Sequence, residues 1–272
     1  MKNGTRALII NADDFGMSQK NVNNIQDCYS NGVVSSISMF AAMPASEYGH
    51  SKLKSFCTQG VGVHLSFSCG APFFPQEEIA TLLNEKRQFY TSFELKSHLK
   101  NINPLELKKE FKAQIQAVQS KTKVTHLDNH RTDIYFRPEL LEVVFELAVE
   151  YNLPVRLPFD DAFDKAAAEN FAKLLGADSD FVLELGKSYV KKCSDLNIIR
   201  PNYFMQPQFK SLGLEKTLDL LKSLPLGVTE ICAHPGDRPI EHQLWNHKEV
   251  KKMIIDQEIR LINFSELKDF TA

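Results

Sequence analysis

The chain has 272 residues, of which 43% are hydrophobic and 24% charged, and its formal net charge is -2. This composition is typical of a globular protein and offers no strongly basic surface for a nucleic acid or an anionic membrane. No apolar run is long enough to cross a bilayer, and the apolar stretch near the N-terminus is too short for a signal-peptide core. The five cysteines are scattered without a CxxC pattern, which favours a reducing cytoplasm. The length predicts one domain over residues 1–272.

Strands and helices alternate through the first 65 residues. The apolar run at residues 7–10 predicts a buried strand, and Ser18 is a fair N-cap for a helix that extends to about Tyr29. A strand is predicted over 33–40, a helix begins at Pro44, and the next strand covers 60–65. This alternation is typical of parallel strands joined by crossover helices.

The segment 68–98 interrupts the alternation. It contains two prolines and several phenylalanines, among them Phe73, Phe74 and Phe89, and shows no clear periodicity. We predict a long loop or a small insertion near the strand ends. Loops of this length are often functional lids, although a surface excursion without a role is the alternative.

The remaining sequence continues the pattern of an α/β protein. Helices are predicted over 104–120 and 137–151, with a strand over 124–128 and a short strand over 153–157. Residues 159–196 are predominantly helical in pattern. Further elements are predicted at 203–205 (strand), 214–224 (helix), 227–232 (strand), 248–257 (helix), 260–263 (strand) and 265–270 (a helical turn). These make seven or eight strand–helix pairs in total.

Residues capable of chemistry follow several predicted strands. Asp13 and Asp14 follow the first strand, His64 closes the third, and His234 follows the strand over 227–232. In a parallel barrel, the carboxyl ends of the strands share one face, which carries the active site. Two adjacent carboxylates repel each other unless one binds a proton or a cation lies between them. One reading is therefore a metal ligand beside a general base, and the other is a helix cap beside a solvent-facing carboxylate.

A third motif contains His126, Asp128 and His130. These residues share one face if the strand continues, and in a helix the two histidines would share a face. Either arrangement could bind a metal and leave coordination positions open for water and substrate. Each histidine taken alone is better explained as a core or capping residue, whereas the four histidines at strand ends together with the two aspartates favour a shared metal site.

Four sequence segments resemble the signatures of the YdjC-like carbohydrate deacetylases, which include the chitooligosaccharide deacetylases. The segments are Asn11-Ala12-Asp13-Asp14-Phe15-Gly16, Gly62-Val63-His64-Leu65, Thr125-His126-Leu127-Asp128-Asn129-His130 and His234-Pro235-Gly236. The loop Gly70-Ala71-Pro72 resembles the family's loop after the histidine. The resemblance extends from Leu8 to Gly236 and implies a distorted (β/α) TIM-like barrel related to the polysaccharide deacetylases.

The resemblance also implies roles for individual residues. It implies one divalent metal ion, magnesium or zinc, held by Asp14, His64 and His130. It further implies a general base, a general acid and a substrate-binding residue, which are Asp13, His234 and Arg156 respectively.

The chain departs from the family pattern after His130. Many members are rich in histidine there, whereas this chain has Arg131-Thr132-Asp133-Ile134. Because His130 is retained, the expected metal site is intact. The missing histidines leave the identity of the substrate undetermined. His126 and Asp128 are then expected to orient His130, and the alternative is that His126 replaces it as a ligand.

The resemblance predicts hydrolysis of the N-acetyl group of an amino sugar or a short chitooligosaccharide. One alternative is a metal-dependent hydrolase of another bond, such as a phosphoester or an unrelated amide. The other is a non-catalytic barrel that binds carbohydrate. The expected partner is a small sugar, with no nucleic acid and no membrane. A homodimer, the commonest closed assembly, is compatible with the sequence.

Overall fold

A curled parallel sheet forms the centre of the protein. The computed structural model describes residues 4–160, 162–206 and 213–271. Within these ranges the strands are β1 (Arg6–Phe15), β2 (Ser36–Met39), β3 (Val61–Leu65), β4 (Val124–Asn129), β5 (Tyr203–Met205), β6 (Gly227–Ala233) and β7 (Arg260–Leu261). They pair in parallel in the order β4-β3-β2-β1-β6-β5, and β7 pairs with β1. This topology confirms the predicted α/β class and the distorted barrel.

Helices connect the strands and cover the outside of the sheet. They are α1 (Gln19–Ser30), α2 (Ser46–Phe56), α3 (Ser92–His98), α4 (Pro104–Gln119), α5 (Pro138–Tyr151), α6 (Lys165–Leu175), α7 (Ser179–Asp195), α8 (Leu214–Lys222), α9 (Pro239–Trp245), α10 (Lys248–Asp256) and α11 (Lys268–Thr271). None of the helices in the described ranges combines the length and apolar character needed to span a bilayer.

The strand β1 lies in the middle of the sheet. One of its edges pairs with β6 from Arg6 to Ala12. The opposite edge is shared, because β7 pairs near Leu8 and β2 pairs from Asn11 onward. The carboxyl end of β1 is therefore surrounded by strands on both sides, which is why two acidic residues there are buried.

The inside of the curled sheet changes from apolar to polar along the strands. At the amino ends of the strands, a small buried cluster closes the interior; it consists of Ala7, Ile9, Val228, Ile262, Phe264 and Leu267. Because side chains alternate along a strand, the next inward positions of β1 are Asn11 and Asp13, and those of β6 are Glu230 and Cys232. All four of these side chains are buried. The buried polar side chains of Asn11, Asp13, Glu230 and Cys232 therefore lie next to this apolar cluster.

The predicted strand over 153–157 is reduced to a single bridge. Val155 pairs in parallel with Leu127 of β4 and donates its N–H to Ile199 O. Toward β4, the segment uses the carbonyl of Pro154 and the N–H of Arg156. In a parallel strand, the preceding residue that would donate toward β4 is Pro154. Because proline has no backbone N–H, the hydrogen bonding between this segment and β4 does not extend further in that direction.

Two other segments contain short helices that the sequence pattern did not predict. The segment 68–98, predicted as a loop or insertion, contains α3 and an antiparallel bridge between Leu83 and Phe89. A capping box formed by Thr91 and Glu94 starts α3.

The sequence did not predict α9, because seven residues are too few to show a helical period. The helical stretch predicted over 159–196 contains α6 and α7, while residue 161 lies outside the described residues.

Gly62 gives a test of the packing inside the sheet. A Cβ at this position of β3 would lie 2.2 Å from Cε1 of His126 on β4. We expect Gly62→Ala to lower the free energy of unfolding by about 1–3 kcal/mol, measured by urea denaturation, because overpacked cores cost this much. The control is Gly213→Ser, which places its Cβ in open space at the N-cap of α8. Equal free energies of unfolding for Gly62→Ala and the wild type would contradict this packing.

Candidate metal and catalytic site

An irregularity at the end of β1 brings two adjacent carboxylates to the same side. In a regular strand, Asp13 and Asp14 would point to opposite faces. Asp14, however, has φ +68°, and the pairing of β1 with β2 shifts register between Ala12 and Phe15. A carboxylate oxygen of each aspartate consequently lies near Nε2 of His64, at 4.0 Å for Asp13 and 3.2 Å for Asp14.

The three residues predicted as metal ligands converge. Oδ1 of Asp14 lies 3.2 Å from Nε2 of His64 and 3.1 Å from Nδ1 of His130. One ligand atom of each residue lies within 4.8 Å of those of the other two. Phe40 packs edge-on against both imidazoles, with ring centroids at 4.9 and 5.1 Å. Two nitrogens and one oxygen therefore surround a single point beside an apolar wall.

The charges at this point respond to one another. Burial opposes ionisation of Asp14, but hydrogen bonds from His130 and His64 outweigh it and hold the pKa of Asp14 well below its usual range. Burial also opposes protonation of His130, but its hydrogen bond to Asp14 raises the pKa of His130 to about 9. Both shifts favour an ionised Asp14 beside a positively charged group, so a cation is stabilised where the three ligand atoms meet.

Asp128 orients the imidazole of His64. The two residues are paired across β3 and β4, and Nδ1 of His64 donates to Oδ1 of Asp128 at 2.8 Å. This bond leaves Nε2 facing Asp14. A carboxylate behind a histidine is the usual support of a metal ligand. The predicted partner of Asp128 was His130, whereas the observed partner is His64, and the supporting role itself stays a prediction.

His126 lies away from the convergent ligands. Its side chain is fully buried and stacks on Phe264, with ring centroids 3.7 Å apart. Its Nδ1 faces the Thr125 hydroxyl at 3.0 Å, and its Nε2 is 3.8 Å from Oδ2 of Asp128. Within the described ranges it belongs to none of the groups that could hold a metal ion. The geometry therefore offers no support for His126 as a replacement for His130.

Arg156 binds Asp13 through two parallel hydrogen bonds. Nη1 donates to Oδ2 of Asp13 at 2.6 Å and Nη2 to Oδ1 at 2.7 Å. Asn11 donates a further bond to Oδ1 at 2.8 Å. Burial would raise the pKa of Asp13, but Arg156 and then His64 reverse this effect and lower it. Asp13 is therefore held as an oriented carboxylate.

The predicted role of Arg156 in substrate binding stays a prediction. The side chain is only 5% exposed. Besides Asp13, its guanidinium contacts Oδ2 of Asp128 at 3.0 Å and Oε1 of Glu230 at 2.7 Å. The contacts that the structure gives the guanidinium are thus with carboxylates of the protein itself and with the ring of Phe204, whose centroid lies 5.6 Å from Cζ.

Glu230 was not predicted from the sequence. It lies in β6, is fully buried and accepts a hydrogen bond from Nε of Arg156. Burial raises the pKa of Glu230 to about 7, against the opposing effect of Arg156. One feature of the sequence could have identified it: Glu230 is a charged residue in the middle of an apolar strand, and it shares the face of Cys232 and His234.

His234 and Cys232 lie next to Asp13. The Cys232 thiol donates to Oδ2 of Asp13 at 3.2 Å. One ring nitrogen of His234 lies within 4.8 Å of this thiol and of an oxygen of Asp13. The His234 N–H donates to Oε2 of Glu241 at 2.6 Å, which fixes the backbone after β6. The predicted base and the predicted acid therefore lie at the same end of the sheet.

Comparisons with known proteins agree with this arrangement. The family model described as YdjC-like protein matches residues 7–267. The chain belongs to the YdjC-like family. A carbohydrate deacetylase of Brevibacillus brevis is 29% identical, and one of Thermoanaerobacter pseudethanolicus is 28% identical; each similarity covers 96% of this chain and 99% of the relative. Both support the prediction of a hydrolase of the carbohydrate deacetylase type.

A solved structure confirms the fold. The crystal structure of a putative cellobiose-phosphate cleavage protein from Enterococcus faecalis V583 superposes with a TM-score of 0.77 at 24% identity. The superposition covers 97% of this chain and 99% of the other. At this level of identity the likeness concerns the fold of the YdjC-like chain.

The raised pKa of Glu230 predicts a dependence of stability on pH. Its folded-state pKa of about 7 exceeds the value of about 4.3 expected in the unfolded chain. As pH rises between these values, only the unfolded state loses its proton, so the wild type loses stability that Glu230→Gln does not lose. From pH 5 to pH 8, the variant should gain about 2–3 kcal/mol relative to the wild type in metal-free urea unfolding.

The exposed Glu215 of α8 provides the matched control, Glu215→Gln. If wild type and Glu230→Gln kept a constant difference between pH 5 and pH 8, the raised pKa would be refuted.

Proposed function

We propose that this protein is a metal-dependent carbohydrate deacetylase that removes the N-acetyl group from an amino sugar or a short chitooligosaccharide. The observation that carries the proposal is the proximity of Asp13 to two groups. Its Oδ2 lies 4.0 Å from Nε2 of His64, one of the three convergent residues, and one of its carboxylate oxygens lies within 4.8 Å of a ring nitrogen of His234. Full-length similarity to relatives named carbohydrate deacetylase supports the same reaction.

The residues fit a divalent metal ion. Asp14, His64 and His130 supply one carboxylate oxygen and two imidazole nitrogens, and three protein ligands leave positions for water and substrate. Two nitrogen donors out of three favour zinc over magnesium. When bound there, the metal would polarise the acetyl carbonyl and lower the pKa of a bound water.

Asp13 acts as the general base in this proposal. It takes a proton from the attacking water, because its Oδ2 lies 4.0 Å from Nε2 of His64 and hence beside the ligand atoms. Arg156 acts by orienting Asp13 through its paired bonds. A low pKa makes Asp13 a weak base, but it keeps the carboxylate ionised and ready at every physiological pH.

His234 acts as the general acid. An amine is a poor leaving group until it receives a proton, and a protonated imidazole near the scissile bond can supply that proton. One ring nitrogen of His234 lies within 4.8 Å of a carboxylate oxygen of Asp13, which supports the action of both proton-transfer groups on one substrate. Hydrolysis then yields acetate and a free amino sugar.

The alternatives predict different outcomes in the same assay. A metal-dependent hydrolase of a phosphoester or another amide would use the same three ligands with a different substrate. A non-catalytic carbohydrate-binding barrel would not need Asp13 and His234, and both are present. The cytoplasmic location and the homodimer stay predictions.

Acetate release provides the direct test. We expect the purified protein to release acetate from N-acetylglucosamine oligomers, to lose this activity when the metal is stripped, and to regain it with zinc or magnesium. Asp13→Asn should lower kcat at least 100-fold while still binding the metal, since it removes the base but none of the three ligands. Asp14→Asn should lose the metal as well.

The control is His247→Asn, which keeps a polar side chain at the N-cap of α10. It should retain both activity and metal. If the metal-loaded wild type released phosphate or another product, but no acetate from any acetylated sugar, the proposed substrate would be wrong.

A further inference from the structure

Glu230 occupies an unusual position for a carboxyl group. Its side chain has no exposed surface, and its Oε1 accepts a hydrogen bond from Nε of Arg156 at 2.7 Å. Its Oε2 is buried and has no hydrogen-bond partner within the described ranges. A buried carboxyl with half of its hydrogen-bonding capacity unused destabilises the fold, so its presence calls for a functional explanation.

The contact of Glu230 gives the planar guanidinium of Arg156 a partner at its third nitrogen, Nε. The two terminal nitrogens of Arg156 bind the two oxygens of Asp13. Nη1 also contacts Oδ2 of Asp128 at 3.0 Å, so these contacts all lie at the terminal nitrogens. A bond at Nε, on another edge of the same plane, further limits how the guanidinium can tilt together with the carboxylate that it holds. Since β6 carries Glu230 and β1 carries Asp13, the chain of contacts is anchored in two paired strands.

We propose that Glu230 is a positioning residue: through Nε of Arg156 it fixes the plane of the guanidinium, and thereby the orientation of the Asp13 carboxylate. This inference rests on the proposed function, in which Asp13 is the general base. Glu230 belongs to none of the candidate metal groups within the described ranges, and its Oε1 accepts a hydrogen bond from Nε of Arg156, so we assign its action to that contact.

The charges around Arg156 agree with this role. The cation already faces Asp13 and Asp128, and the Cys232 thiol lies next to Asp13. A third full negative charge would compete with Asp13 for the same guanidinium. Burial raises the pKa of Glu230 to about 7, so near neutral pH much of this carboxyl is uncharged. The feature of Glu230 that positions Arg156 is then the acceptor oxygen Oε1, and a glutamine side chain has the same acceptor.

Two variants of similar size separate positioning from charge. Glu230→Gln keeps the acceptor, and its kcat for acetate release should stay within threefold of the wild type. Glu230→Leu removes the acceptor, and its kcat should fall at least tenfold, while KM and metal content stay unchanged, because small misplacements of a catalytic group are costly. If the leucine variant kept kcat within twofold, or if both variants lost activity equally, the proposal would be overturned.

A second measurement needs neither activity nor the leucine variant. In ¹H–¹⁵N NMR spectra, the Nε–H of Arg156 should exchange with solvent at least tenfold more slowly than those of the other arginines on average, in the wild type and in Glu230→Gln. Arg156→Lys assigns the resonance. Rapid exchange in the wild type would overturn the proposal. If the Nε–H is protected but the wild type releases no acetate, the proposed function fails while the positioning of Arg156 stands.

Discussion

The structure depends on one buried cation surrounded by carboxylates. Arg156 is 5% exposed and contacts Asp13 of β1, Asp128 of β4 and Glu230 of β6. Such groups can be buried together only because they compensate one another, and removing one partner of a buried ion pair typically costs about 3–5 kcal/mol. The guanidinium therefore joins strands from different parts of the sheet. Its bonds to Asp13 also orient this predicted base.

The layered interior explains how the YdjC-like fold combines stability with chemistry. Apolar side chains at the amino ends of the strands form a plug that excludes water beneath the site. The same alternation of side chains then places charged groups at the carboxyl ends. Asp14 is the exception: its left-handed backbone turns it to the side of Asp13. Without this local change, one of the two aspartates would point into the layer between sheet and helices.

Local patterns in the sequence predicted most of the fold and a common face for the residues at the strand ends, whereas the choice of Asp14, His64 and His130 among them came from the resemblance to the YdjC-like family. Alternating strands and helices imply a common face for the strand ends, and that rule is sufficient to gather residues far apart in the chain. Contacts between side chains were not predictable in this way. Arg156 lies 143 residues from Asp13 in the sequence, and nothing near it indicates three carboxylate partners. Likewise, the short strand at 153–157 was overestimated because one missing N–H at Pro154 limits a ladder that the apolar pattern favours.

In the proposed function, a metal binds at Asp14, His64 and His130 and leaves Asp13 as a base. An anomalous difference map from crystals soaked in zinc and measured at the zinc absorption edge would reveal which residues hold it. One peak bounded by these three side chains, with the two bonds from Arg156 to Asp13 intact, is the result expected from this proposal. A peak between Asp13, Cys232 and His234, or between Asp13, His64 and Asp128, would contradict it, because Asp13 would then be a ligand.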